Sequence, residues 1–147
     1  GNRLENQASA AEVGKNVPIK YVAETDNSEG SNPSKHITKP VTLVSDAVGL
    51  KVILAANRPA GSDIQVYYRT ATLAEDIYEK DYEEASKEIN VASDENRSIF
   101  REYRYTIGGD GGSLAPFDIF QVKLVFTSQN TSKAPTVKDL RIIALGV

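Results

Sequence analysis

The chain of 147 residues has no cysteine, no methionine, no tryptophan and a single histidine, His36. Without cysteine it can form neither a disulfide nor a thiolate metal site, which fits assembly in a reducing cytosol. A Ser-His-Asp arrangement would have to be built around His36, which we expect to be a surface or rim histidine at the start of a strand. The absence of methionine indicates a fragment or a processed product, so a targeting signal could lie upstream.

Long apolar runs and an excess of basic charge are also missing. No stretch approaches the roughly 20 apolar residues that a membrane-spanning helix needs, so the sequence predicts no membrane span. The chain carries 17 basic and 20 acidic residues, for a net charge of −3, and its basic residues are scattered singly. Binding to a phosphate backbone requires a basic face, so we expect no nucleic-acid partner.

Alternating apolar residues are the main structural signal. They occur in residues 50–55 and 64–69, which are joined by a polar link, and again in residues 120–128 and 137–145. Alternation with a period of two is typical of a strand with one buried and one solvated face. We expect the first two runs to form a hairpin, and we expect the apolar terminal strand to be either central in a sheet or completed by a neighbour.

The rest of the chain is consistent with an all-β protein. Residues 72–96 are rich in acids and predict a long acidic insert with one helical turn, whereas residues 100–107 alternate again, with Tyr103, Tyr105 and Ile107 facing inward. No helix long enough for a parallel crossover is visible. The sequence therefore predicts an antiparallel, jelly-roll-like β-sandwich over residues 34–147, preceded by an arm and loop over residues 1–33.

No pattern in the sequence indicates catalysis, a metal or a cofactor. The acidic run lacks the alternating carboxylates and the glycine of a calcium loop, so it predicts a solvated face. The glycine-rich loop at residues 108–113 lacks the lysine and the following helix of a phosphate-binding loop, and it reads as a hairpin or connecting loop. We therefore expect no catalytic residue, no metal ligand and no cofactor site, and we do not expect an enzyme.

Tyrosines are the candidate contact residues. Alternation places Tyr67 and Tyr68 on opposite faces of their strand, so that one of them points outward, and Tyr78 and Tyr82 lie in the acidic insert. An exposed tyrosine can stack on a sugar ring or anchor a protein interface. The lack of tryptophan counts against a sugar platform. These four residues are the predicted partner- or glycan-contacting set.

Three motifs carry a resemblance to a known family. They are K-x-I-T-[KR]-P-V at residues 35–41, P-x-G-[ST]-x-I-x-V-Y-Y at residues 59–68, and [ST]-x-N-x-[SA]-K-x-P-x-[VI]-[KR]-D-L-R-x-I-A-L at residues 128–145. From Ser34 onward the chain resembles a domain at or near the carboxyl end of large virion structural proteins, baseplate wedge or tail components, of contractile-tailed bacteriophages. Where that family carries a tryptophan after the third-strand excursion, this chain has Tyr78 and Tyr82.

The resemblance implies a structural role. It predicts an assembly module that contacts other virion or tail proteins, is located in the phage tail, and is assembled in the host cytoplasm. The alternative is a carbohydrate-binding β-sandwich that contacts a glycan. A sugar module should present outward tyrosines beside acid or amide groups, whereas an assembly module should present a flat apolar patch or an open strand edge.

Overall fold

The computed structural model describes residues 35–87, 92–108, 114–129 and 133–146, so the predicted arm over residues 1–33 lies outside the described residues. Within these ranges the chain is nearly all-β, with one 3₁₀ turn at Ile77–Glu79 and no α-helix. No helix in the described ranges is long and apolar enough to cross a membrane. The strands are β1 Lys35–Ile37, β2 Val41–Asn57, β3 Ser62–Ala71, β4 Glu83–Glu84, β5 Ser86–Lys87, β6 Arg101–Gly108, β7 Phe117–Ser128 and β8 Thr136–Gly146.

All strand pairs are antiparallel, and they form a sheet that is nearly closed into a barrel. The order along the sheet is β4-β3-β7-β2-β6-β5, with β1 paired to β7 and β8 paired to β2. Strands β4 and β5 are separated only by Ala85, whose amide donates to the carbonyl of Val66 at 2.8 Å. This short segment pairs with β3 on one side and with β6 on the other, and so it connects the two ends of the sheet.

The long strand β2 changes partners along its length. Its beginning pairs with β7, and its remainder lies between β6 and β8. The change coincides with a large bulge, because Thr42 pairs with Ile119 and Ala47 with Phe117, so that residues 43–46 lie opposite Asp118 alone. A bulge bends the strand that carries it, and here it directs β2 from one part of the sheet to another.

The core is filled by the inward residues of β2, β3, β6, β7 and β8. In β2 these are alternate residues, including Leu50, Val52 and Leu54, none of which is exposed to solvent. The predicted inward set of β6 is confirmed, because its three members are at most 2% exposed. The inward side chains of β6 are Tyr103, Tyr105 and Ile107.

One expectation about neighbouring strands is wrong. Strands β2 and β3, which were expected to form a hairpin, do not pair, because β7 lies between them in the sheet. The link between them turns at Gly61, which has a φ of 79°, and the Ser62 hydroxyl donates to the carbonyl of Pro59 at 2.6 Å. Strands β6 and β7 pair with β2 and not with each other, which favours a connecting loop over a hairpin among the two alternatives predicted for residues 108–113; of these, residues 109–113 lie outside the described residues.

Alternation along one strand shows which face is buried, but it does not identify the partner strand. Pairing between strands distant in sequence is therefore decided by the tertiary fold.

Candidate functional site

The four predicted tyrosines lie in four different environments. Tyr68 is half-buried and packs against the core, and its pKa is raised by burial and then by the carboxylate of Glu83. Tyr67 lies on the opposite, outer face of β3, as the alternation predicted. Tyr82 is only 3% exposed, whereas Tyr78 is 64% exposed. Tyr78 is thus the one member of the set whose ring is largely open to solvent.

Strand pairing brings two cations to the outer face of the barrel. Tyr67 pairs with Lys123, and Arg69 pairs with Gln121, so all four side chains lie on the same side of β3 and β7. Lys123 has no solvent exposure, and Arg69 is 6% exposed. The outer face of a barrel is usually solvated, so complete burial of a lysine there requires something to cover it.

Tyrosine rings and cations alternate on this face. The ring of Tyr82 lies between the two cations, with its centroid 4.3 Å from Arg69 Cζ and 4.3 Å from Lys123 Nζ. The stack extends to Tyr78, whose centroid is 5.5 Å from Arg69 Cζ, and to Tyr67, 4.9 Å from Lys123 Nζ. We call these five residues the cation–tyrosine ladder: Tyr78, Arg69, Tyr82, Lys123 and Tyr67.

Hydrogen bonds hold the Arg69 end of the ladder in place. Arg69 Nε donates to Gln121 Oε1 at 2.8 Å, and Gln121 Nε2 donates to the carbonyl of Thr38 at 2.8 Å. Arg69 Nη1 donates to the carbonyl of Lys80 at 3.1 Å. These bonds hold the guanidinium against the Tyr82 ring. They also connect β3 to β7, to the residue after β1, and to the backbone at Lys80.

Burial of Lys123 has an energetic consequence. Transfer of an ammonium group out of water is unfavourable unless other groups replace its hydration. A cation over an aromatic face is stabilised by about 0.5–2 kcal/mol, with the larger values where water is excluded. The rings of Tyr82 and Tyr67 therefore offset part of the free-energy cost of removing Lys123 from water.

Residues 72–87, which we call the strap, carry Tyr78 and Tyr82 and cover the two cations of the ladder. The strap contains six acidic and two basic residues, and its acidic side chains are exposed. Asp76 caps the 3₁₀ turn by accepting from the amide of Tyr78 at 3.0 Å, and Glu75 forms an ion pair with Lys80. In the described ranges there is no group of three or more side chains that could hold a metal ion.

A second feature, the edge cleft, lies where the bulge of β2 meets the end of β8. It is an open cleft of about 360 Å³ lined by residues 43–47, Ile143, Ala144 and Gly146. Val44, at its rim, is fully exposed. Among the described strands, β8 pairs with β2 alone. Its first half carries exposed charges, whereas residues 143–146 carry none, so the end of this edge lacks the usual protection against pairing with another chain.

Two carboxyl groups meet beside the edge cleft. Asp46, in the bulge, hydrogen-bonds with Asp118, and this bond together with the charge of Asp118 raises the pKa of Asp46. Two neighbouring carboxylates repel each other when both are ionised, so the protonated form of Asp46 is favoured. The bulge is therefore a place where the local charge depends on pH.

His36 is not the surface or rim histidine that the sequence predicted. It is 7% exposed, because β1 pairs with β7 and places His36 directly opposite Leu124. Burial lowers its pKa, so the imidazole is favoured in its neutral form. The sequence did not predict this burial, because a strand of three residues is too short to show which of its faces is buried.

Neither cation of the ladder was among the residues predicted from the sequence. Lys123 stands in an otherwise apolar strand, and Arg69 follows two tyrosines, but neither signal shows that the two face each other. Only the register of β3 with β7 brings them onto one face. No protein-family model, no curated protein and no solved structure matches this chain.

Proposed function

We propose that this chain is a structural assembly module of a phage tail or baseplate protein, which works by contacting other tail proteins and carries no catalytic residue. The proposal places it in the virion, after assembly in the host cytoplasm. The motif resemblance motivates the choice of particle. The observation that carries the assembly role is the edge cleft, where an exposed valine stands beside the uncharged end of β8.

The finer description of the fold belongs to the same proposal. Strands β1, β3, β7 and the beginning of β2 would form one layer of a jelly-roll-like sandwich, and β6, β8 and the remainder of β2 the other. The change of partners within β2 supports this division, because the bulge at residues 43–46 separates the two sets of pairings. In this arrangement the edge cleft lies at the junction of the layers.

A partner could use the edge cleft in a simple way. The end of β8 offers backbone groups to an added strand or loop, and the apolar side chains around Val44 offer a contact surface. A stable interface buries more than about 1,000 Å² in total, so the contact would extend beyond the cleft onto the outer face of β8. We expect the terminal strand, β8, to be completed here by a segment of the partner.

The alternative function, glycan binding, has one observation in its favour. Tyr78 is largely exposed, and an open cleft of about 440 Å³ lies in the same region, lined among others by Thr72, Glu75 and Lys80. Hydroxyl, carboxylate and ammonium groups near an aromatic ring suit a sugar. However, Tyr82 and Tyr67 are engaged with cations inside the ladder and Tyr68 packs on the core, so a multi-ring platform is not available.

The assembly proposal is tested by a charge placed in the edge cleft. We expect Val44→Asp to reduce binding of the immobilised chain to purified tail or baseplate subassemblies at least tenfold, because an aspartate would be desolvated at the contact. Ile99→Asp is the matched control, since Ile99 is also an exposed apolar residue, at 38%.

Equal binding by wild type and Val44→Asp would contradict the use of the edge cleft. A glycan array run in parallel tests the alternative function. Glycan binding that Tyr78→Ala abolishes and Val44→Asp leaves unchanged would favour the carbohydrate-binding module over the assembly module.

A further inference from the structure

We propose that the strap is a displaceable cover, and that the face of β3 and β7 beneath it is a second docking surface for an acidic, tyrosine-bearing segment of a partner protein. This inference rests on the proposed assembly function, because it specifies the chemistry of one partner. It is carried by the cation–tyrosine ladder and not by the edge cleft, so the two surfaces can be tested separately.

The face beneath the strap has a defined binding chemistry. Displacement of Tyr82 would leave Lys123 and Arg69 side by side on an outer sheet face, with Tyr67 beside Lys123 and the amide of Gln121 bonded to Arg69. Such a surface favours ligands that bring an aromatic ring to lie between the cations. It also favours ligands that bring negative charge around the ring.

The strap matches this surface in both respects. Its Tyr82 ring fills the space between the two cations, and six of its residues are acidic. The acidic side chains remain exposed around a buried ring, so the strap is electrostatically complementary to the cations beneath it. The occupant already present in the chain therefore indicates what a competing occupant must offer.

The strap is attached to the rest of the barrel through short elements of secondary structure. Its regular structure consists of one three-residue 3₁₀ turn and two strands of two residues each. Besides the ladder, its described anchors include the two-residue pairings of β4 with β3 and of β5 with β6, the buried Ile77, the Ala85 amide bonded to Val66, and an ion pair between Lys87 and Asp63. Segments with little buried apolar area and short ladders open at lower free energy than the core strands.

Displacement would follow from simple competition. A partner segment that carries a tyrosine and acidic neighbours can occupy the face only when the strap is open. Its apparent affinity is therefore reduced in proportion to the fraction of molecules in which the strap is open. A partner tethered nearby by the edge cleft would have a high effective concentration and could overcome this cost. The strap would thus make binding at this face depend on prior assembly at the other.

The test uses a fluorescent synthetic peptide of residues 72–87 as the probe and the full chain as the receptor. We expect the peptide to bind Tyr82→Ala at least tenfold more tightly than wild type, measured by fluorescence anisotropy, because the variant's own strap no longer holds the space between the cations. A peptide with Tyr82→Ala should not bind. Addition of Lys123→Met to the receptor variant should weaken binding at least fivefold, and raised salt should also weaken it.

Two further measurements keep the test decisive if Tyr82→Ala folds poorly. Tyr82→Leu retains apolar volume but lacks the ring, and the same gain in peptide affinity is expected for it. Hydrogen exchange on the wild-type chain should show strap amides exchanging at least tenfold faster than those of β7. Absence of peptide binding by a folded Tyr82 variant, or strap amides as protected as those of β7, would overturn the proposal.

These results are separate from those of the edge-cleft experiment. Peptide binding to the isolated chain does not require any tail protein, so it can succeed if the assembly proposal fails. Conversely, loss of subassembly binding in Val44→Asp with no peptide binding would support assembly through the edge cleft and reject the strap as a displaceable cover.

Discussion

Tyr82 shows how one side chain can be placed by contacts that are distant in sequence. Its ring lies 4.3 Å from a cation on each side, one from β3 and one from β7. A tyrosine in an acidic segment would ordinarily be expected at the surface, yet its exposure is 3%. The reason is that a tyrosine ring gains both apolar burial and cation–π energy at this position, whereas an aliphatic side chain would gain only the burial.

The carboxyl pair at the bulge gives a pH-dependent prediction. The folded-state pKa of Asp46 is raised by its hydrogen bond with Asp118, so the folded state binds this proton more tightly than the unfolded state does. The contribution of the pair to stability is therefore present at acid pH and is lost as pH rises through the folded-state pKa. We expect Asp46→Asn to raise the thermal midpoint at neutral pH, because it removes the repulsion.

The thermal midpoints of Asp46→Asn and of wild type are measured over a range of pH from acid to neutral. The difference in thermal midpoint between Asp46→Asn and wild type should disappear below the usual carboxyl range, where Asp46 is protonated. An Asp139→Asn variant is the control, since Asp139 is also an exposed carboxylate and lies on β8 opposite Ala55, away from the bulge. A midpoint of Asp46→Asn that exceeds wild type equally at acid and neutral pH would contradict the electrostatic explanation.

At the scale of elements, β7 differs from the other strands in being buried on both faces. Its residues from Phe120 to Ser128 are all buried, although alternate positions hold Gln121, Lys123 and Thr127. One face contacts the core, and the strap lies against part of the other. A polar residue in a doubly buried strand must be matched by partners, and the ladder and the Gln121 bonds supply them. This is why the polar positions of β7 do not mark a solvated face.

Two glycines with a positive φ give a prediction, one at the end of β6 and one in the link between β2 and β3. Gly108 has a φ of 69°, and a Cβ there would lie 2.6 Å from the Val48 carbonyl oxygen. Gly61 also has a positive φ, 79°, but the nearest atom to a Cβ would be 4.0 Å away. We expect Gly61→Ala to cost about 1 kcal/mol of unfolding free energy, from backbone strain alone.

Gly108→Ala should cost clearly more, about 3 kcal/mol, because β2 and β6 must separate to admit the methyl group. Both values are obtained from urea denaturation of the two variants beside wild type. Equal losses in the two variants would show that the backbone conformation matters and the close approach to Val48 does not.

At the scale of the whole molecule, the sheet is built from strands that are far apart in sequence. Strand β1 pairs with β7, and β2 with β8, while the neighbouring pairs β2–β3 and β7–β8 do not form. Such topology requires long loops to close before native pairing is rewarded. The near-closure of the sheet by the segment of β4 and β5 adds a further non-local step.

We therefore expect slow refolding. For all-β proteins with non-local pairing the time scale is about milliseconds to seconds. Stopped-flow refolding followed by tyrosine fluorescence measures it directly, since the chain has seven tyrosines and no tryptophan. Refolding within about ten microseconds would show that local contacts dominate, in conflict with the pairing described above.

The sequence by itself determined the class of structure and the buried faces. The alternation in β2, β3, β6, β7 and β8 predicted strands close to those observed, and it correctly placed Tyr103, Tyr105 and Ile107 inside. Period-two alternation is a local property, since successive side chains of a strand point to opposite faces whatever strand pairs with it. That is why this part of the prediction did not depend on the fold.

Only the tertiary structure decided which strands are neighbours and which polar side chains are buried. The burial of His36 opposite Leu124, the absence of the expected β2–β3 hairpin and the meeting of Lys123 with Tyr82 all depend on non-local pairing. Register between distant strands is chosen by the combined packing of the whole core, and a sequence pattern contains no separate signal for it. The candidate surfaces arise from that choice.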